Sequence, residues 1–112
     1  MNDSLHWTWQ ANIKDGEEQG FRALAKEWRE CAEKEPGTLH SEWTISEDGK
    51  SVRVDQWFTD AAAAYAQYHT NTCWRRLDDY LQPTSMVVCG KSNEQLEFLR
   101  DHGTIFMLPL EG

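Results

Sequence analysis

Residues Glu35 to Asn71 read EPGTLHSEWTISEDGKSVRVDQWFTDAAAAYAQYHTN. Two runs rich in Thr, Ile, Val, Trp and Phe flank Asp48-Gly49, and that dipeptide closes a tight hairpin because Gly49 takes positive φ without steric penalty. In the first run, Thr38 to Ile45, the side chains Leu39, Ser41, Trp43 and Ile45 share one side, and His40, Glu42 and Thr44 share the other. In the second, Val52, Val54, Gln56 and Phe58 oppose Arg53, Asp55 and Trp57. Trp57 beside Arg53 and Asp55 leaves neither strand with a cleanly polar side, so both faces of the sheet are expected to meet something. Pro36-Gly37 breaks the chain before the hairpin. After it, Thr59 or Asp60 caps a helix whose Ala61, Ala64, Tyr65 and Tyr68 make the buried stripe and which runs out near His69 and Asn71.

Upstream, Leu5 to Ile13 alternates as a strand, with Leu5, Trp7, Trp9 and Ala11 on one side, and a turn follows at Lys14-Asp15-Gly16. From Glu17 to Glu35, Phe21, Leu24, Ala25, Trp28, Cys31 and Ala32 recur at helical spacing, with Glu17 and Glu18 in the first turn. Downstream, Thr70-Asn71-Thr72 is poor helix material, so the second helix is expected to break there and resume with Trp74, Leu77 and Leu81 until Gln82-Pro83 stops it. Thr84 to Cys89 reads as a short strand. Ser92-Asn93-Glu94-Gln95 reads as a capping box for a small helix closed by Gly103, and Thr104 to Leu110 as a last strand. The order is a split β-α-β-β-α-β pattern, an α+β ferredoxin-like sandwich with an extra C-terminal helix and strand. With helices on one face only, the other face is too apolar for water, and pairing with a second copy as a homodimer resolves the conflict.

At 112 residues with 39% apolar content and six Trp, the chain has the core material for one domain, residues 1–112. A net charge of −8 argues against a nucleic-acid grip, which needs clustered Lys and Arg. Cys31, Cys73 and Cys89 are odd in number, far apart and without a CxxC pair, so they are expected to be buried free thiols of a cytoplasmic protein. No run approaches the roughly 18 apolar residues of a membrane span, and Met1 to Ser4 carries no leader pattern. No Gly-rich phosphate loop or serine elbow is present. His40 and Glu42 form a His-x-Glu pair, but the Pro-Cys-x-x-Cys of a zinc deaminase is missing, which leaves them as a surface or interface pair.

Taken together, Glu35-Pro36-Gly37-Thr38-Leu39, Glu42-Trp43, Asp48-Gly49, the Phe58-Thr59-Asp60 junction running into Ala61 to Ala64, and His69 followed by Asn71 resemble the antibiotic biosynthesis monooxygenase family. The resemblance implies a dimeric α+β barrel with a pocket in each subunit between sheet and helices. It also implies oxygenation of aromatic polyketides or quinols by molecular oxygen without metal or flavin. Where members often carry Glu-x-Tyr, this chain has Gln56-Trp57-Phe58, without the carboxylate and the phenol.

The candidate catalytic residue is His69, as base or proton shuttle, with Trp43, Trp57, Tyr65 and Asn71 shaping the pocket. Each has a plainer reading: His69 as a histidine bonded at the helix end, Asn71 as a helix terminator, the aromatics as core. Two further classes stay open. One is a non-catalytic dimer that binds a small apolar molecule or another protein. The other is a haem-degrading relative of the same barrel, for which Trp9 and Phe58 stand where an Asn and a Trp would be needed.

Overall fold

The hairpin forms where Asp48-Gly49 places it. In the computed structural model, which describes residues 3–70 and 76–110, Gly49 has φ 73° and the Lys50 amide donates to Asp48 Oδ1 at 2.9 Å. The turn joins β2 (Thr38–Ile45) to β3 (Ser51–Phe58) in an antiparallel register that sets Trp43 opposite Val54 and Glu42 opposite Asp55. β3 pairs on its other side with β1 (Leu5–Ile13), which pairs in turn with β4 (Leu81–Gly90); β5 (Ile105–Met107) adds parallel to β4. The strand order is β2-β3-β1-β4-β5. Its first four strands are the ferredoxin-like sheet, with the extra C-terminal strand outside β4.

Alternation decides which face is covered. Leu5, Trp7, Trp9 and Ala11 of β1 and Val52, Val54, Gln56 and Phe58 of β3 are buried. They share one core with Phe21, Leu24, Trp28 and Ala32 of α1 (Glu18–Glu33), with Ala61 and Ala64 of α2 (Ala61–Thr70), and with Leu96 and Leu99 of the Glu94–His102 helix. The other face carries His6, Thr8 and Gln10 between Trp57, Asp55 and Arg53 on one side and Cys89, Val87 and Ser85 on the other. Asp60 Oδ1 accepts from the Ala63 amide at 2.8 Å and so caps α2. Gly37 lets this helix approach the start of β2, since a Cβ there would come within 2.4 Å of Ala63 Cβ.

Five expectations are corrected. The helical segment expected to run from Trp74 to Leu81 ends earlier: Thr72 to Trp74 lie outside the described residues, Arg76 is helical and is followed by a 3-10 turn at Leu77–Asp79, and Leu81-Gln82-Pro83 belongs to β4. β1 offers Ile13, Asn12 and Ala11 as partners for these residues, and this long-range pairing outweighs the local helical pattern. The register shifts between Gln10 and Ala11, which accommodates Pro83 and its missing donor at an irregularity. Asn93, not Ser92, caps the next helix by accepting from the Gln95 amide at 2.9 Å, and the helix is of 3-10 type. β5 is shorter than Thr104 to Leu110. α1 ends at Glu33, before Glu35. Finally, Cys31 is an exposed free thiol and Cys89 a half-buried one, while Cys73 lies outside the described residues. No helix of the described residues is long and apolar enough to cross a membrane.

Candidate functional site

The irregularity between β1 and β4 opens a hollow on the helix side of the sheet. Trp9 to Ala11 and Pro83 to Met86 form its floor, Tyr68, Leu77 and Asp78 one wall, and Leu99 with His102 to Thr104 the other. Its volume, about 410 Å³, suits a small organic ligand, for which sites run from about 300 to about 1,000 Å³. Tyr68 is half-buried, with its ring 4.9 Å from that of Phe98. Burial, and next the negative charge of Asp78, push the Tyr68 phenol above its ordinary range. It therefore stays protonated at neutral pH and can donate a hydrogen bond to a ligand oxygen. The Thr104 hydroxyl, on the opposite wall, is buried with no partner among the described residues.

The residues singled out in the sequence go to different places. Tyr65 sits on α2, its ring 6.3 Å from Phe98, so α2 brings Tyr65 and Tyr68 against the same ring. His69 follows Tyr68 in the last turn of α2; its side chain and all of Asn71 lie outside the described residues. Trp43 is on the covered face but under α1, with Trp28 at 5.0 Å and Trp9 at 5.9 Å, and its indole N–H donates to Ser41 Oγ. Trp57 is on the opposite face, stacked on His6 at 4.3 Å and beside His40 at 5.1 Å. The sheet therefore lies between Trp57 and both Trp43 and Tyr65. His40 and Glu42 are 3.9 Å apart and exposed on that outer face, and no group of three metal-ligating side chains exists among the described residues.

Sequence reading missed Tyr68, Met86, Leu99 and Thr104 as cavity residues. Tyr68 was visible as a member of the stripe three residues after Tyr65, but its place in the core and its place on a cavity wall have the same spacing. Thr104 had no local signal, because its position depends on where β5 attaches.

A second polar cluster lies on the uncovered face. The Thr8 hydroxyl donates to Asp55 Oδ1, Arg53 Nε donates to Asp55 Oδ2 at 3.2 Å, and His6 Nε2 lies 3.4 Å from Asp55 Oδ1. Burial is the largest influence on the Asp55 carboxyl and raises its pKa. The hydrogen bonds from Thr8 and Arg53, the Arg53 charge and the His6 contact together outweigh it and hold the group below the usual carboxylate range.

No protein-family model and no curated protein matches the chain. Solved structures do. MupZ from Pseudomonas fluorescens is 17% identical, with a TM-score of 0.81 over 96% of this chain and 91% of its own. A protein from Nitrosomonas europaea, provisionally assigned as an antibiotic biosynthesis monooxygenase, is 18% identical, with a TM-score of 0.72 over 81% of this chain and 92% of its own. A single-residue variant of SnoaB, a cofactor-independent oxygenase from Streptomyces nogalater, is 12% identical, with a TM-score of 0.68 over 77% and 90%. The chain thus has the fold of the antibiotic biosynthesis monooxygenase proteins, and at these identities the likeness is one of fold.

Proposed function

We propose that the chain is a cofactor-independent monooxygenase acting on a small electron-rich aromatic, a phenol or quinol, held in the cavity beside Tyr68. The observation that carries this reading is the 410 Å³ hollow between α2 and the sheet, lined by Trp9, Tyr68, Met86 and Leu99, in a fold shared with an oxygenase that needs no cofactor. The aromatic and thioether walls suit a flat, apolar ring. Tyr68 supplies a protonated donor for the oxygen of a substrate anion.

In this reading His69 takes the proton from the substrate. The resulting carbanion or phenolate passes one electron to oxygen, and the substrate radical and superoxide combine to a hydroperoxide. The proton returns from His69 as the O–O bond breaks, so that one oxygen atom stays as a new carbonyl, and the other leaves as water with two hydrogens from the substrate, the proton first taken by His69 and the one on the carbon that is oxidised. In this reading Tyr65 and Asn71 keep the substrate-shaping role expected of them. The functional unit is a two-fold homodimer joined through the uncovered faces. Ile105 and Met107, each more than half exposed, together with the half-buried Val87 and Trp57, support this pairing.

The test is oxygen uptake with anthrone-like and naphthoquinol substrates. Wild type is expected to consume oxygen, and His69→Ala to lose uptake by about a hundredfold or more, the usual range for a proton-transfer group, with its melting temperature nearly unchanged. Equal uptake by both proteins removes His69 from the site. No uptake by wild type, with saturable binding of the same compounds, makes the cavity a ligand site without turnover.

A further inference from the structure

The Glu94–His102 helix is of 3-10 type, and that geometry decides where its last side chain stands. With three residues per turn, side chains at i and i+3 lie directly above one another, and each turn advances the helix by ~6 Å. Leu96 and Leu99 are both buried and so define the inward row. His102 is the next member of that row. In an α-helix the same residue would stand about 60° off it. Gly103, with φ 77°, closes the helix at this point, its amide donating to the Arg100 carbonyl at 3.1 Å.

The end of the row meets the hollow. His102 lines the wall that Leu99 and Thr104 also form, and Tyr68 and Asp78 stand on the wall across from it. Of the other charged groups in the last turn, Asp101 is not part of the wall, and Arg100 is held elsewhere. Its Nε donates to Glu97 Oε2 at 2.6 Å, and its guanidinium lies 4.2 Å over the Phe106 ring. His6 and His40 belong to the other face of the sheet, beside Trp57. Among the described side chains, His102 is therefore the one imidazole at the hollow. It is also exposed, so from the rim it can exchange a proton with water.

We propose that His102 is a second proton-transfer residue of this site, and that the substrate is an aromatic ring carrying two hydroxyls, one bonded by Tyr68 and the other by His102. The inference rests on the oxygenase reading of the hollow. Tyr68 and His102 stand on opposite walls, so a ring lying between them presents an oxygen to each only when it is hydroxylated at two remote positions. The second O–H bond breaks as the substrate anion passes one electron to molecular oxygen. Its proton goes to an imidazole nitrogen of His102, and its electron pair stays on the oxygen, where it feeds the ring and eases the departure of the electron. Once the O–O bond has broken, the proton returns from His102 to that oxygen, so His102 adds nothing to the overall balance.

The test compares a para-dihydroxynaphthalene with its monomethyl ether, in which the second oxygen has no proton to give. Oxygen uptake is measured above the rate without protein, in wild type and in His102→Leu. His102 is exposed, so the substitution should leave the melting temperature unchanged. Uptake with the dihydroxy compound is expected to fall by about tenfold or more, less than an enclosed base would lose because water at the rim substitutes in part. Uptake with the ether should be the same in both proteins. Equal loss with both compounds, or no loss with either, overturns the proposal. Binding of the two compounds without oxygen separates this inference from the reading beneath it. Wild type should hold the dihydroxy compound about threefold to tenfold more tightly than the ether, the size of one hydrogen bond, and His102→Leu should hold both alike. If wild type shows no uptake at all, the oxygenase reading fails and the proton transfer with it. A binding preference that disappears in His102→Leu then still assigns the second hydroxyl to His102, and equal affinities in wild type overturn that assignment as well.

Discussion

The two helices cover the same face of one sheet in opposite ways. Under α1 the rings of Trp9, Trp28 and Trp43 meet at 5.0 to 5.9 Å, with Trp28 fully buried. The buried polar side chain nearby is satisfied: Gln56 accepts from the Trp7 indole at 2.7 Å and donates to Ser41 Oγ at 3.3 Å. Under α2 the buried positions are Ala61 and Ala64, the tyrosines are half-buried, and a cavity remains. Gln67 is as deeply buried as Gln56, yet neither atom of its amide has a partner among the described residues. One half of the layer is closely packed by large rings; the other is built from small side chains that leave room. Close packing supplies stability, and incomplete packing supplies a site.

The strongest way to break this contrast is Trp28→Ala. Removing a fully buried indole from the α1 cluster should cost about 3 to 5 kcal/mol, read from chemical denaturation at constant m-value. A loss below about 1 kcal/mol would mean that α1 does not anchor the fold.

The two glutamines sharpen the contrast, because the same substitution should act with opposite sign. Gln56→Leu removes the acceptor that the buried Trp7 indole uses and should destabilise by about 1 to 3 kcal/mol. Gln67→Leu replaces a buried amide without partners by an apolar side chain of similar size. It should leave stability unchanged or raise it by up to about 1 kcal/mol. Thermal melts of the pair decide it: a clear loss in Gln67→Leu would show that its amide is engaged.

The sequence made the α1 half more legible than the α2 half, for a physical reason. Helix α1, the hairpin and β1 are set by local periodicity and by one Gly turn, and these patterns act over a few residues. The stretch from Leu77 to Pro83 has a helical pattern of its own, but β1 was waiting with free hydrogen-bonding groups, and a partner about seventy residues away leaves no trace in local spacing. The cavity depends on that same strand and its irregularity, so its lining could not be read from the sequence. Nor could the separation of Trp43 from Trp57 be read from spacing alone: it follows only from the hairpin register, which sets Trp43 opposite Val54 and His40 opposite Trp57 and so puts the two indoles on different faces.

The smallest effect belongs to the outer face, and its sign reports whether that face is covered. In the single chain the Asp55 carboxyl is held below its unfolded value of about 3.9, since Thr8, Arg53 and His6 outweigh burial. A depressed folded pKa contributes stability that is present above the unfolded pKa and is lost as pH falls through the folded one. Arg53 is largely exposed, so the contribution should be below about 1 kcal/mol, and Asp55→Asn should flatten the acid limb of the melting curve by that amount. Pairing of two outer faces takes Asp55 further from water and strengthens the influence that already ranks first, burial, which raises the pKa. At concentrations where sedimentation gives twice the 13.0 kDa chain mass, the acid loss should therefore be smaller, and complete at higher pH, than in dilute protein. An acid limb independent of concentration, in a protein that sediments as a single chain, would leave the outer face open and remove the two-fold pairing.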